Sequence, residues 1–257
     1  MKERFQRLLW PILAFVGIVA LWEAVVRIFN IEAFILPAPS AIWTAFIDTW
    51  GIVWPYGFRT LFEAVGGLVV GTVAGIVVAA AVARWSTIRL GAMPFSAAVN
   101  AMPIVATAPI LNQLFGLTSP VSKMAVVAIM VFFPVMANTA RGLAEVDPSE
   151  IELMRAMAAS PSTILWRVRV PNALPFFFSA MRVAVPLSLI GAIIAEYFGG
   201  PQDVLGQYIT NRAQLFQFPD AWAAILVASI LGIGMYLIVL VTERLAMPWH
   251  VSIRHQE

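Results

Sequence analysis

The chain has 257 residues, of which 61% are apolar and 12% charged, and its mean hydropathy is +0.86. A soluble domain carries about 25% charged residues, so this balance is inconsistent with a water-solvated fold. The formal charge of +2 is small and carried almost entirely by arginine, with Lys2 and Lys123 the only lysines; with no cysteine, disulfides, thiolate metal sites and cysteine nucleophiles are excluded.

A membrane span needs roughly 20 apolar residues at about 1.5 Å per residue. Six segments qualify, approximately 8–29, 59–83, 91–115, 122–140, 174–198 and 221–243. Basic residues precede the first run, as in a signal peptide. That run continues through Leu21 and Trp22 without a small-residue cleavage site, so a retained first span is expected. Glu23 and Arg27 stand four apart within it and compensate one another on a helix. After the rigid break 35–40 come Ile42, Trp43, Phe46, Ile47 and Trp50 at helical spacing with Asp48 opposite. Both an interfacial helix on the outer leaflet and an ordinary packing helix fit this pattern.

The second span places Gly67, Gly71 and Gly75 on one face, continued by Ala79 and Ala83, a spacing that lets helices approach closely in lipid. Arg59 and Glu63, again four apart, are expected to pair. The third segment has Arg89 and Pro94 at its start. It carries Asn100, Met102, Pro103, Thr107, Pro109, Asn112 and Gln113. Prolines and amides at membrane depth are tolerated beside other helices or a water-lined path. These residues, with Asn138 of the fourth span, are therefore the pathway candidates; helix–helix hydrogen bonding is the plainer reading of each amide.

The segment 147–175 is a polar, helix-forming island between apolar runs. Asp147 is placed to cap a helix beginning at Pro148, with Glu150 completing a capping box. Ser160 and Pro161 repeat the signal for a second short helix, and Pro171 and Pro175 mark the return to the membrane. A capped helical hairpin at a membrane face suggests a dock for a second protein. Beyond it, Arg182 lies two turns into the fifth span and is expected to reach the inner interface. Glu196 and Tyr197 lie near the outer end, where gating or docking of an external protein is expected.

Arginine bias orients the spans. With the N-terminus inside, the inner segments hold Lys2, Arg4, Arg7, Arg84, Arg89, Arg141, Arg155, Arg167, Arg169, Arg244 and Arg254; the outer ends hold Arg27, Arg59, Lys123 and Arg212. The positive-inside rule then puts both termini and the island in the cytoplasm. Neither lysine stands in a phosphate-binding glycine-rich loop, and His250 and His255 lie in the polar tail without metal-ligand spacing. Enzymatic chemistry therefore has little support, and transport or assembly survives as the class.

The island resembles the cytoplasmic signature of permease subunits of bacterial ABC importers, E-A-A-x-x-x-G-x(9)-I-x-L-P. Anchored on Pro171, the glutamate falls at Glu152, the alanines at Leu153 and Met154, the glycine at Ala158, and I-x-L at Val168, Arg169 and Val170. Alanine disfavours positive φ, so the turn is expected one or two residues later, at Ser160-Pro161. Leu36-Pro37-Ala38-Pro39-Ser40, Thr60 to Gly66, and Leu205-Gly206 resemble the nitrate/sulfonate/taurine branch, with Val204 where a glycine is common. Within it, residues 132–138, 152–156 and 194–197 look most like permeases for riboflavin or a pyrimidine precursor of thiamine.

The resemblance implies an all-α membrane protein of six transmembrane helices in the type I importer fold. It would be a single permease domain over 1–257, with its core at about 54–245 and a coupling loop at 147–175 between helices 4 and 5. Glu152, Leu153, Met154, Arg155, Ala158, Ser160 and Pro171 would couple it to a cytoplasmic ATPase dimer. ATP and magnesium would belong to that partner, and this chain would carry no cofactor or metal. A second permease copy, an extracytoplasmic solute-binding protein and membrane lipid are the other implied partners; nucleic acid is not. The implied location is the bacterial cytoplasmic membrane. The rival reading is an ATP-independent secondary transporter or channel, which would normally show coupling-ion carboxylates at the midplane.

Overall fold

The computed structural model describes residues 2–248 except 86, 87, 89, 92, 93, 96, 97, 99 and 100, with side chains from residue 9 onward. Among these residues the regular structure is entirely helical. The order is α1 (Lys2–Ile28), α2 (Pro39–Asp48), α3 (Trp50–Arg84), α4 (Ile104–Phe115), α5 (Pro120–Ala144), α6 (Pro148–Ala156) and α7 (Pro161–Ile164). A π-helical turn (Leu165–Arg169), α8 (Val170–Tyr197), α9 (Leu205–Gln214) and α10 (Phe218–Ala246) follow.

Five helices among the described residues are long and apolar enough to cross a membrane: Leu9–Ile28, Trp50–Arg84, Pro120–Ala144, Pro161–Tyr197 and Phe218–Ala246. These answer to five of the six expected spans. The remaining one is represented by α4, whose 12 residues extend only ~18 Å. Arg89 and the pathway candidate Asn100 lie outside the described residues.

The centre of the bundle is a close pairing of α3 and α5, running in the same direction. A Cβ added at Gly67 would lie 2.4 Å from Val127 Cβ, and one at Gly71 would lie 2.3 Å from Val131 Cγ2 and 2.6 Å from the Ala128 carbonyl oxygen. One at Gly75 would lie 3.1 Å from the Met136 amide nitrogen and from the Phe132 carbonyl oxygen. The expected small-residue face is therefore a backbone-to-backbone seam, sealed by the fully buried Val127, Val131, Val135 and Met136. Antiparallel α8 packs across it, with Gly142 of α5 against Ala173 and Gly191 against Met130. Gly71→Val should destabilise the bundle by about 1–3 kcal/mol or more, since neither backbone can retreat. Melting of the detergent-purified protein should record the loss, and an unchanged midpoint would show that the helices separate freely.

Helix α2 has one packed face and one open face. It buries Ile42, Ala45 and Phe46, whereas Trp43 and Ile47 remain more than half exposed. Its tryptophan edge continues as stacked and edge-on rings through Trp50, Trp54 and Phe58. Helix α1 is apolar and exposed along most of its length, from Trp10 to Leu21. It is tied near its foot, where Glu23 accepts from Arg27 Nε at 2.6 Å, from the Ser40 amide at 3.0 Å and from the Ser40 hydroxyl at 2.8 Å. Trp22 meets Trp222 edge-on beside it.

Candidate functional site

The bundle has two ends. One carries the C-terminal ends of α3, α5 and α10 and the hairpin α6–α7; the other carries α2, α9, the start of α5 and the end of α8.

At the hairpin end, Asp147 caps α6 as expected. Its carboxylate accepts from the Ser149 amide at 2.8 Å and hydroxyl at 2.7 Å, so Ser149 rather than Glu150 supplies the paired contact. Those two bonds hold the Asp147 carboxyl below its usual range, so the cap stays ionised at neutral pH. Ser160 caps α7 by accepting from the Thr163 amide at 3.2 Å.

The turn between the two helices is not where alanine's preferences put it. Ala158 itself is left-handed, at φ 55°. Its amide donates to Arg155 and the Ala159 amide donates to Met154, at 2.9 and 3.0 Å, the bond pair of a Schellman ending. Two satisfied carbonyls outweigh the ~1–2 kcal/mol cost of the left-handed alanine. Ala158→Gly removes that cost and should stabilise the hairpin by about 1 kcal/mol. Slower amide hydrogen exchange over 148–164 is the expected readout; unchanged or faster exchange would contradict it.

The hairpin presents a different apolar face from the one its pattern suggests. Ile151 and Met154 are half-buried, and Met154 lines a groove of about 540 Å³ with Glu150, Arg167, Pro171 and Phe176. Leu153 and Met157, one turn apart, are 62% and 71% exposed, with Glu152 and Arg155 exposed beside them. Trp166 is equally open in the π-helical turn. That widened turn ends where Pro171 has no amide to give to Arg167 and its ring crowds that carbonyl. The prolines consequently sit inside a helix continuing from α7 to Tyr197 rather than punctuating it. Asn172 Nδ2 donates to the carbonyls of Gly142 and Glu145, each at 2.8 Å, fastening the return limb to the end of α5. Deeper at this end, Arg182 donates from Nε to Glu243 of α10 at 3.0 Å, so it pairs within the bundle instead of merely reaching the interface.

The pathway candidates divide. Asn112 is fully buried and donates to the Ala195 carbonyl at 2.9 Å, so it joins α4 to α8. Asn138 donates to the Pro134 carbonyl at 2.8 Å, within its own helix. Asn112 thus follows the helix–helix bonding reading, whereas Asn138 bonds only its own helix. Met102, Pro103 and Gln113 are exposed, and Thr107 is half-buried with its hydroxyl on the Ile104 carbonyl at 3.1 Å.

The opposite end holds a constellation that sequence reasoning missed. Lys123 and Glu196 are fully buried and Glu63 is 3% exposed. The Lys123 ammonium donates to the Leu117 and Gly199 carbonyls, and lies 3.1 Å from Ser122 Oγ. Glu196 accepts from the Gly206 amide at 2.6 Å, and its carboxyl faces those of Glu63 and the Thr60 hydroxyl. Thr60 in turn accepts from the Leu205 amide at 3.0 Å. Two expectations are corrected. Glu63 does not pair with Arg59, which bonds Asp203 across 144 residues of chain because that carboxylate lies on the exposed rim. Glu196 does not face outward to a docking partner, because α9 starts directly above it. Tyr197 is partly exposed, and with Tyr236 it lines an apolar cavity of about 580 Å³ between α8 and α10. One signal was available: an isolated lysine heading an apolar span while two other spans each carry a carboxylate near the same end.

A helical bundle of membrane-crossing length with a capped hairpin at one end defines a multi-pass membrane protein. Residues 71–247 match the family of binding-protein-dependent transport system inner membrane components, and the chain belongs to that family. It is 31% identical to the formylaminopyrimidine transport permease protein ThiX of Halalkalibacterium halodurans, over 97% of this chain and 98% of that one. It is 28% identical to the riboflavin transport system permease protein RibX of Chloroflexus aurantiacus, over 96% and 94%. The fold is shared with the crystal structure of an amino acid ABC transporter with histidines, at TM-score 0.61 and 16% identity, over 77% of this chain and 96% of that one. The chain is accordingly an ABC transporter permease of the nitrate/sulfonate/taurine branch, a non-catalytic transport subunit.

Proposed function

We propose that this chain is the pathway-forming subunit of an ATP-driven importer. It takes a small organic solute from an extracytoplasmic binding protein and releases it to the cytoplasm by alternating access. The observation that carries this reading is the hairpin: a rigid, doubly capped element whose Leu153 and Met157 lie open to a partner. An amphipathic helix of this kind suits an apolar groove, with Glu152 and Arg155 setting its register. ATP and magnesium would be held by two cytoplasmic ATPases, and two copies of this chain would enclose the path within one permease domain each. The names of the relatives favour a formylated aminopyrimidine or a riboflavin-like solute, with sulfonate-type solutes next. Selection would rest mainly with the binding protein, since the exposed candidates Met102, just before α4, and Gln113, within it, bring no charge. Affinity purification from the native host should recover an ATPase in equal number with this chain. ATP-dependent uptake into proteoliposomes containing the complex and binding protein completes the test; uptake without ATPase would refute it.

The reading has six spans, with α4 and the residues before it supplying the third, and both termini cytoplasmic. Because the chain lacks cysteine, the topology is directly measurable. An impermeant thiol reagent applied to intact cells should label Gln214→Cys on exposed α9 and spare Ser162→Cys in the hairpin. The reverse pattern would invert the orientation.

A further inference from the structure

A lysine and two glutamates buried at one end of a membrane bundle are costly to desolvate, and apolar replacements of equal volume generally match or exceed such groups in stability. What they do here is visible in their partners. The Lys123 ammonium, at the head of α5, holds the carbonyls of Leu117 and Gly199, one from the α4–α5 loop and one from the α8–α9 loop. Glu196, on α8, receives the Gly206 amide in the first turn of α9, where a helix favours negative charge. Thr60, on α3, holds the neighbouring Leu205 amide. Gln207 adds a bond from Nε2 to the Glu196 carbonyl at 2.7 Å. The two loops are thus tied to Lys123, and the start of α9 is tied to Glu196 and Thr60.

We propose that Glu63, Lys123 and Glu196 form a latch that closes the end of the permease opposite the hairpin, with Lys123 gripping the two loops, Glu196 gripping the start of α9 and Glu63 lying beside Glu196. Two carboxylates and one ammonium leave an uncompensated charge in this dry site. Of the two carboxyls, Glu196 is the one that holds a crossing segment, through the Gly206 amide. The outer rim repeats the tie at the surface through Arg59 and Asp203. These are positioning residues: they hold α9 and two loops across the path and let them part when it opens. The role rests on the importer reading above, so its test uses a measurement that needs no ATP.

A single cysteine at Ala195, buried where α8 meets Ala108 of α4 and Val126 of α5, reports opening at the latch. A separate cysteine at Ala79, buried against Met136 and Ala140 farther along the seam, reports general loosening. In the purified resting complex, Glu196→Gln and Lys123→Met should each speed labelling at position 195 by roughly tenfold or more, the factor expected when a hydrogen bond to a charged group is lost. Labelling at 79 should not change. Glu63→Gln, isosteric and at the member that holds neither loop nor α9, should leave both positions protected. If Lys123→Met labels at both positions it has lost its fold, and the isosteric Glu196→Gln decides. Protection of position 195 in Glu196→Gln, or labelling of 195 and 79 together in that variant, would overturn the latch. So would opening by Glu63→Gln. If the variants label as expected while the wild-type complex shows no ATP-driven uptake, the importer reading falls and the latch stands.

Discussion

Leu153→Arg should abolish partner recovery and reduce solute uptake to background while leaving the melting of the isolated chain unchanged. Leu153 is the most instructive position because, although it edges the groove beside Met154, it is 62% exposed on a helix that buries nothing completely. Moving a leucine side chain into an apolar groove contributes about 1.5–3 kcal/mol. An arginine there loses that term and also brings a charge out of water without a built partner. Met157 stands one turn on and is more exposed still, so Met157→Arg should behave alike. Half-buried Met154 is a poorer probe, because an arginine there disturbs the groove against Phe176. Stoichiometric ATPase co-purifying with Leu153→Arg, together with normal uptake, would remove the hairpin from the interface.

The second large effect is expected at Thr107→Trp. Its target is a half-buried threonine on α4, flanked by exposed Met102 and Gln113. If this face lines the path, an indole there fills the space through which solute passes, and uptake should fall to background. The complex should still assemble, because the hairpin lies at the far end. Added binding protein should still stimulate ATP hydrolysis, giving turnover without transport. Normal transport by Thr107→Trp and by bulky replacements of Gln113 would show that α4 does not line the path.

Features set by local physics were legible in the sequence. Composition placed the chain in a membrane, the caps at Asp147 and Ser160 were readable from two short motifs, and glycine spacing identified the seam. Interactions that depend on distant chain were not. Arg59 has Glu63 four residues away but finds Asp203, because packing turns the glutamate inward and leaves the guanidinium on the rim. Lys123 reads as an ordinary flanking charge until the loops at 117 and 199 close over it. Ala158 shows the limit of propensity, which assigns the turn to a later residue while two backbone bonds hold it at the alanine. The amides of α4 and α5 invited a pathway role, and only the fold shows that Asn112 and Asn138 are committed to carbonyls.

The glycine seam has a mechanical consequence. Two helices touching backbone to backbone from Gly67 to Gly75, roughly two turns, resist sliding past each other, so α3 and α5 tend to move together as one girder. The 25 residues of α5 make that girder ~37 Å long. Rocking by about 5° around its middle displaces each tip by ~1.6 Å in opposite senses, enough to break a hydrogen bond, whose heavy-atom distance is about 2.9 Å. Lys123 rides on one tip, while Asn172 ties the hairpin's return limb to the other. Under the importer reading proposed above, a small push delivered at the hairpin would be converted into a displacement of the ammonium at the far tip.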